Sequence, residues 1–160
     1  MKRLERGFTL VEIMIVVAII ALLAAIAIPN VLRGRVAANE SAAIGNLRAL
    51  VSSLEMFRST NQVYPNPWQG QMYNYANPAF GPPSFNFNMT ASNAQGYTYT
   101  YTALATNTAY NIVSVPVTLA RTGTRSFYVD ESGVIRHCLG NTSPTTANNT
   151  IDLPPNAACP

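Results

Sequence analysis

Between Phe8 and Ile28 the chain offers 21 residues, of which only Thr9 and Glu12 are polar. A helix rises ~1.5 Å per residue, so about 20 residues cross the ~30 Å hydrocarbon layer of a bilayer. The run predicts a membrane-spanning N-terminal helix, and whatever else the chain builds must lie behind it. Lys2, Arg3 and Arg6 precede it against a single Glu5, an excess of positive charge that keeps this end cytoplasmic and sends the rest across. Glu12 is the exception inside the run. A carboxylate in a membrane segment is costly, which makes it a functional candidate; the competing reading has it near the head groups, reaching water.

The string Arg6-Gly7-Phe8-Thr9-Leu10-Val11-Glu12, followed by the apolar stretch to Ile28 and then Pro29, resembles the N-terminus of type IV prepilins and type II secretion pseudopilins. The motif spans about the first 30 residues. The resemblance implies a leader of residues 1–7, cut by a dedicated prepilin peptidase between Gly7 and Phe8, with methylation of the new Phe8 amine. It also implies that Glu12 pairs with the Phe8 amine of a neighbouring subunit. Physically, that amine would offset the desolvation of the carboxylate and favour one stagger between subunits, because an unpaired buried charge is penalised heavily. An ordinary secretory signal cut after Ala27 is the rival reading. Against it stand an apolar stretch longer than the usual ~7–15 residues, the acid within it, and a helical pattern that continues beyond the cut.

Removing residues 1–7 takes three basic residues and one acid, so the net charge falls from +3 to +1. The seven arginines left are scattered, which argues against a strong nucleic-acid footprint. With 160 residues there is room for one head domain.

Pro29, and Gly34 between Arg33 and Arg35, predict a kink or a melted section, since proline removes a helical hydrogen bond and glycine weakens the helix. Past them Ala43, Leu47, Leu50, Leu54 and Phe57 recur at helical spacing and define one apolar face. The expected division is thus a filament-core half at 8–29 and an amphipathic half at 30–59. Pro65 and Pro67 stop the helix. Residues 60–96 form a connecting loop whose five prolines alternate with Trp68, Tyr73, Tyr75, Phe80, Phe85 and Phe87; those aromatics are expected to pack on the head. Residues 97–138 read as an antiparallel sheet. Tyr97, Tyr99 and Tyr101 alternate with threonines, a strand signal. Tyr110–Val117 follows, then Arg125–Val129 and Val134–His137 around an Asp130–Gly133 turn. The predicted fold is α+β, a long helix packed on about four antiparallel strands.

Residues 139–160 form a turn-rich tail. Cys138 and Cys159 enclose 20 residues, and in an oxidising compartment one disulfide is the default, worth roughly 3 kcal/mol by loop-closure arithmetic. Free thiols and a metal pair are the alternatives. No catalytic constellation is visible: the single histidine, His137, neighbours Cys138 on a strand and points to the other face. The chain is accordingly read as non-enzymatic and without a resident cofactor or metal. Calcium enters only in the pseudopilin reading, with Asp130, Glu131 and Asp152 as acids.

What the resemblance implies is a homo-oligomer wound into a helical filament. The subunit is held in the inner membrane as a precursor, then handled by an assembly platform and its ATPase. The disulfide-bounded tail and the Thr/Asn-rich head favour a major pilin of an extracellular type IV pilus, serving adhesion, twitching motility or DNA uptake. The alternative is the major pseudopilin of a periplasmic pseudopilus. A minor tip subunit is the third.

Overall fold

The computed structural model describes residues 7–146 and 150–151. Two units are distinguished, Met1–Arg35 and Val36–Pro160. One helix, α1 (Leu10–Asn61), contributes to both. Of the kink or melted section expected at Pro29 and Gly34, melting is not seen: α1 is helical through both positions. The reason is local. Proline costs one backbone hydrogen bond, and the apolar helix formers around it keep the rest. Asn30 adds a bond from its Nδ2 to the Ile26 carbonyl at 3.2 Å. α1 ends where Gln62 turns to φ 64° and its N–H bonds the Arg58 carbonyl at 2.8 Å, a left-handed C-terminal stop.

In the second unit the predicted face of α1 is the buried one: Ala43, Leu47, Leu50 and Leu54 are fully buried and Phe57 nearly so. It packs in one core with an antiparallel meander of five strands: β1 (Ser92–Ala94), β2 (Tyr97–Leu104), β3 (Ala109–Pro116), β4 (Arg125–Asp130) and β5 (Arg136–Leu139). The sheet thus has one strand more than expected. β1 is three residues long and pairs Ser92 with Tyr99 and Ala94 with Tyr97, lying along an edge that β2 presents. The tyrosine alternation of β2 works as a strand should. Tyr97 and Tyr99 are fully buried while Thr98 and Thr100 are half-buried. β3 continues the face with Tyr110 and Ile112, and β4 with Phe127 and Val129. The register sets Ile112 opposite Val129, and Phe127 opposite His137.

The 60–96 segment is less irregular than read. It holds a one-turn π-helix at Gly70–Asn74, a 3-10 turn at Pro83–Phe85, and β1. Its aromatics pack inward: Trp68 and Phe85 are buried, and the Trp68 indole N–H donates to the Phe85 carbonyl at 3.1 Å. Tyr75 is the exception, 83% exposed. Buried tyrosine rings carry their hydroxyls to partners at the margin of the core. Tyr73 donates to the Pro82 carbonyl, Tyr97 to that of Arg125 and Tyr101 to that of Pro65, at 2.8–2.9 Å. Two glycines make room for this. A Cβ at Gly81 or Gly123 would collide with the Tyr73 or Tyr97 hydroxyl respectively.

A polar latch joins helix to sheet within this unit. Glu40, 6% exposed, accepts bonds at Oε1 from the Thr124 N–H (2.8 Å) and Oγ1 (2.7 Å), and at Oε2 from Arg125 Nε (2.9 Å). Beside it Asn39 Nδ2 donates to the Thr122 carbonyl at 3.0 Å. Burial works to raise the Glu40 pKa, but the bonds from Thr124 and Arg125 together outweigh it and hold the carboxyl below its usual value. The salt-bridged form is therefore the folded one at neutral pH.

Candidate processing and assembly segment

Residues 7–9 precede α1 and are not helical. The Gly7–Phe8 bond thus sits in irregular backbone, and both flanking residues are exposed, as a peptidase requires. A Cβ at Gly7 would meet no described atom within 4 Å, so packing sets no demand for glycine there among the described residues. Phe8 is 85% exposed and buries little against them.

Thr9 caps α1. The Glu12 N–H donates to Thr9 Oγ1 at 3.2 Å, while the Thr9 N–H and Oγ1 each donate to Glu12 Oε2 at 2.8 Å. This is a reciprocal capping box, which satisfies two of the donors a helix start leaves orphaned. Thr9-x-x-Glu12 is its sequence signature, and the reading of Glu12 as a membrane carboxylate alone overlooks it. Both bonds fall on Oε2, leaving Oε1 outside the box for another partner. Glu12 therefore has a role within its own chain.

Behind it the apolar run is bare. The 18-residue window that best fits a membrane span has mean hydropathy 3.0 and none of it is buried by protein. Ile13, Val16, Val17, Ile20, Leu23 and Ile28 are each more than half exposed. An exposed apolar face of this size marks a membrane or protein contact.

The remaining expectations are placed as follows. His137 and Cys138 are both fully buried, on opposite faces of β5 by strand alternation. The His137 ring packs 6.5 Å from that of Phe127, and burial, then the charge of Arg125, pushes its pKa down. Cys159, the expected disulfide partner of Cys138, lies outside the described residues, as do Asp152 and most of the leader. Asp130 is committed to its own turn, accepting from the Ser132 N–H at 3.0 Å and from the Ser132 hydroxyl. Among the described residues no group of three or more His, Cys, Asp or Glu side chains is placed to hold a metal.

Residues 2–28 match the family model described as the prokaryotic N-terminal methylation motif. Similar proteins include type II secretion system core protein G of Dickeya chrysanthemi, 40% identical over 70 residues, or 44% of this chain and 46% of that one. The proteins of the same name from Escherichia coli and Pseudomonas aeruginosa are each 36% identical, over 84 residues (52% of this chain, 58% of that one) and 87 residues (54% and 61%). The chain spans about half the length of the curated relatives it matches. It carries the prokaryotic N-terminal methylation motif and is similar, over about half its own length, to type II secretion system core protein G.

Proposed function

We propose that this chain is a structural subunit of a type IV pilin-like filament, and specifically a major pseudopilin of a type II secretion pseudopilus. It is anchored as a precursor in the inner membrane by residues 8–29. A prepilin peptidase removes residues 1–7 and methylates Phe8, and an assembly platform with its ATPase then stacks the exposed apolar helices into a periplasmic filament core. The observation that carries the reading is the motif at residues 2–28 together with relatives that bear the name of a secretion-system core protein. Supporting it is the bare apolar half of α1, whose surface needs such a core.

In this reading Glu12 keeps its bond to Thr9 and offers its second oxygen to the Phe8 amine of the next subunit. In this reading the subunit performs no catalysis of its own, and its scattered arginines give no strong nucleic-acid footprint. Calcium is the one cofactor to test, with Asp130, Glu131 and Asp152 as the available acids; Cys138 and Cys159 are proposed to pair. The surface pilus, favoured on sequence for its cysteine-bounded tail and Thr/Asn-rich head, is the second reading. The relatives move the weight to the pseudopilus.

Mass spectrometry of the N-terminus, on surface-sheared and envelope fractions separately, tests this. Methylated Phe8 confined to the envelope is the expected result. Methylated Phe8 in abundant sheared filaments would establish the surface pilus instead. A chain starting at Ile28 would sink both.

A further inference from the structure

The spacing of charge along the first unit points to a lipid contact. Residues 13–32, 20 in all, carry no charged side chain; Glu12 precedes them and Arg33 follows. As helix that stretch measures about 30 Å, the thickness of the hydrocarbon layer. α1 is unbroken across it. If Glu12 lies at one hydrocarbon boundary, Arg33 lies at the other, and Arg35 about 3 Å further along the axis.

Both arginines are exposed, and neither makes a salt bridge with a described residue. The next acid along the helix, Glu40, is already taken by Thr124 and Arg125. Gly34 between them leaves open space where a side chain would stand. Two residues apart on a helix, they leave it on nearly opposite sides, since each residue turns it by about 100°. Basic residues on the translocated side also run against the charge bias that orients membrane helices. Spanning alone does not account for them.

We propose that Arg33 and Arg35 form a collar that binds the phosphates of anionic phospholipids in the outer leaflet of the inner membrane. The planar guanidinium group matches a phosphate with two parallel hydrogen bonds. The collar fixes the depth of the stored subunit, and its lipids are released when the subunit leaves the membrane for the filament. The inference rests on the membrane-anchored reading above.

The mature full-length chain is reconstituted in nanodiscs of phosphatidylcholine with and without phosphatidylglycerol, and the lipids it retains are counted by native mass spectrometry. Phosphatidylglycerol is expected to be enriched, roughly five-fold per arginine. Arg33→Gln or Arg35→Gln removes one such factor and the double variant removes the preference. Arg48→Gln, an exposed arginine of the second unit, leaves it intact. Vesicle flotation reports insertion separately. Failure of the parent chain to float overturns the anchored reading and the collar together; flotation without a lipid preference overturns the collar alone. A double variant that keeps the preference but no longer assembles would hand the two arginines to carboxylates of a neighbouring subunit and refute the collar.

Discussion

Replacing Glu40 by glutamine tests the one buried ion pair that ties α1 to the sheet among the described residues. The carboxylate side chain is 9% exposed and Arg125 29%. A buried pair that loses one partner costs about 3–5 kcal/mol, and the partial exposure of Arg125 lowers the expectation to about 2–3 kcal/mol. The substituted amide would keep an oxygen for Thr124 but would lose the charge that faces Arg125. The assay is urea unfolding of the mature chain in detergent, followed by fluorescence of Trp68. It is the only tryptophan and is 3% exposed in the core, so it reports the second unit. The pH dependence gives an independent check. Because the folded Glu40 carboxyl titrates below its usual value of 4.5, its contribution is complete above that value and is lost as pH falls through the lower, folded pKa. The parent chain should lose stability over that acid window by more than Glu40→Gln does. A variant within about 0.5 kcal/mol of the parent at neutral pH, with the same acid profile, would refute the view that this latch holds helix to sheet.

Three further outcomes follow from the geometry. Glu12→Gln keeps the capping box, since glutamine serves at that position, but lacks the charge, whereas Glu12→Ala loses both at about 1 kcal/mol of helix stability. Circular dichroism should therefore find Glu12→Gln as helical as the parent while filament yield collapses in both; normal filaments from Glu12→Gln would reduce Glu12 to a cap. Gly7→Val meets open space, so the precursor should fold and insert normally yet retain its leader by mass; efficient cleavage would show that the peptidase does not read this glycine. Gly123→Ala drives a methyl into the Tyr97 hydroxyl and displaces its bond to the Arg125 carbonyl, at about 1–3 kcal/mol; thermal melts unchanged from the parent would contradict that packing.

Periodicity alone located the helix face and the tyrosine face of β2, because both are repeats that burial imposes on consecutive residues. Thr9-x-x-Glu12 is equally legible as a capping pattern, although the cost of an acid in lipid is the louder signal at the same residue. Ser92-Asn93-Ala94 has no strand propensity; it becomes β1 because β2 offers an edge to pair with. Of the kink or melted section expected at Pro29 and Gly34, melting is not seen, since α1 is helical through both positions.

The N-terminal segment is the part that sequence determined by itself. In the proposed function the leader, Gly7, Phe8, Glu12 and the apolar run act on a membrane, a peptidase and other subunits, so their meaning depends on order and spacing along one short stretch. Tertiary structure decided what depends on distant partners. Glu40 reads as one more charge on a helix until Thr124 and Arg125, some 85 residues on, close around it. Gly123 reads as a turn glycine until the Tyr97 hydroxyl fills the space beside it. A buried charge and a close approach are properties of two segments at once, and no window of consecutive residues contains both.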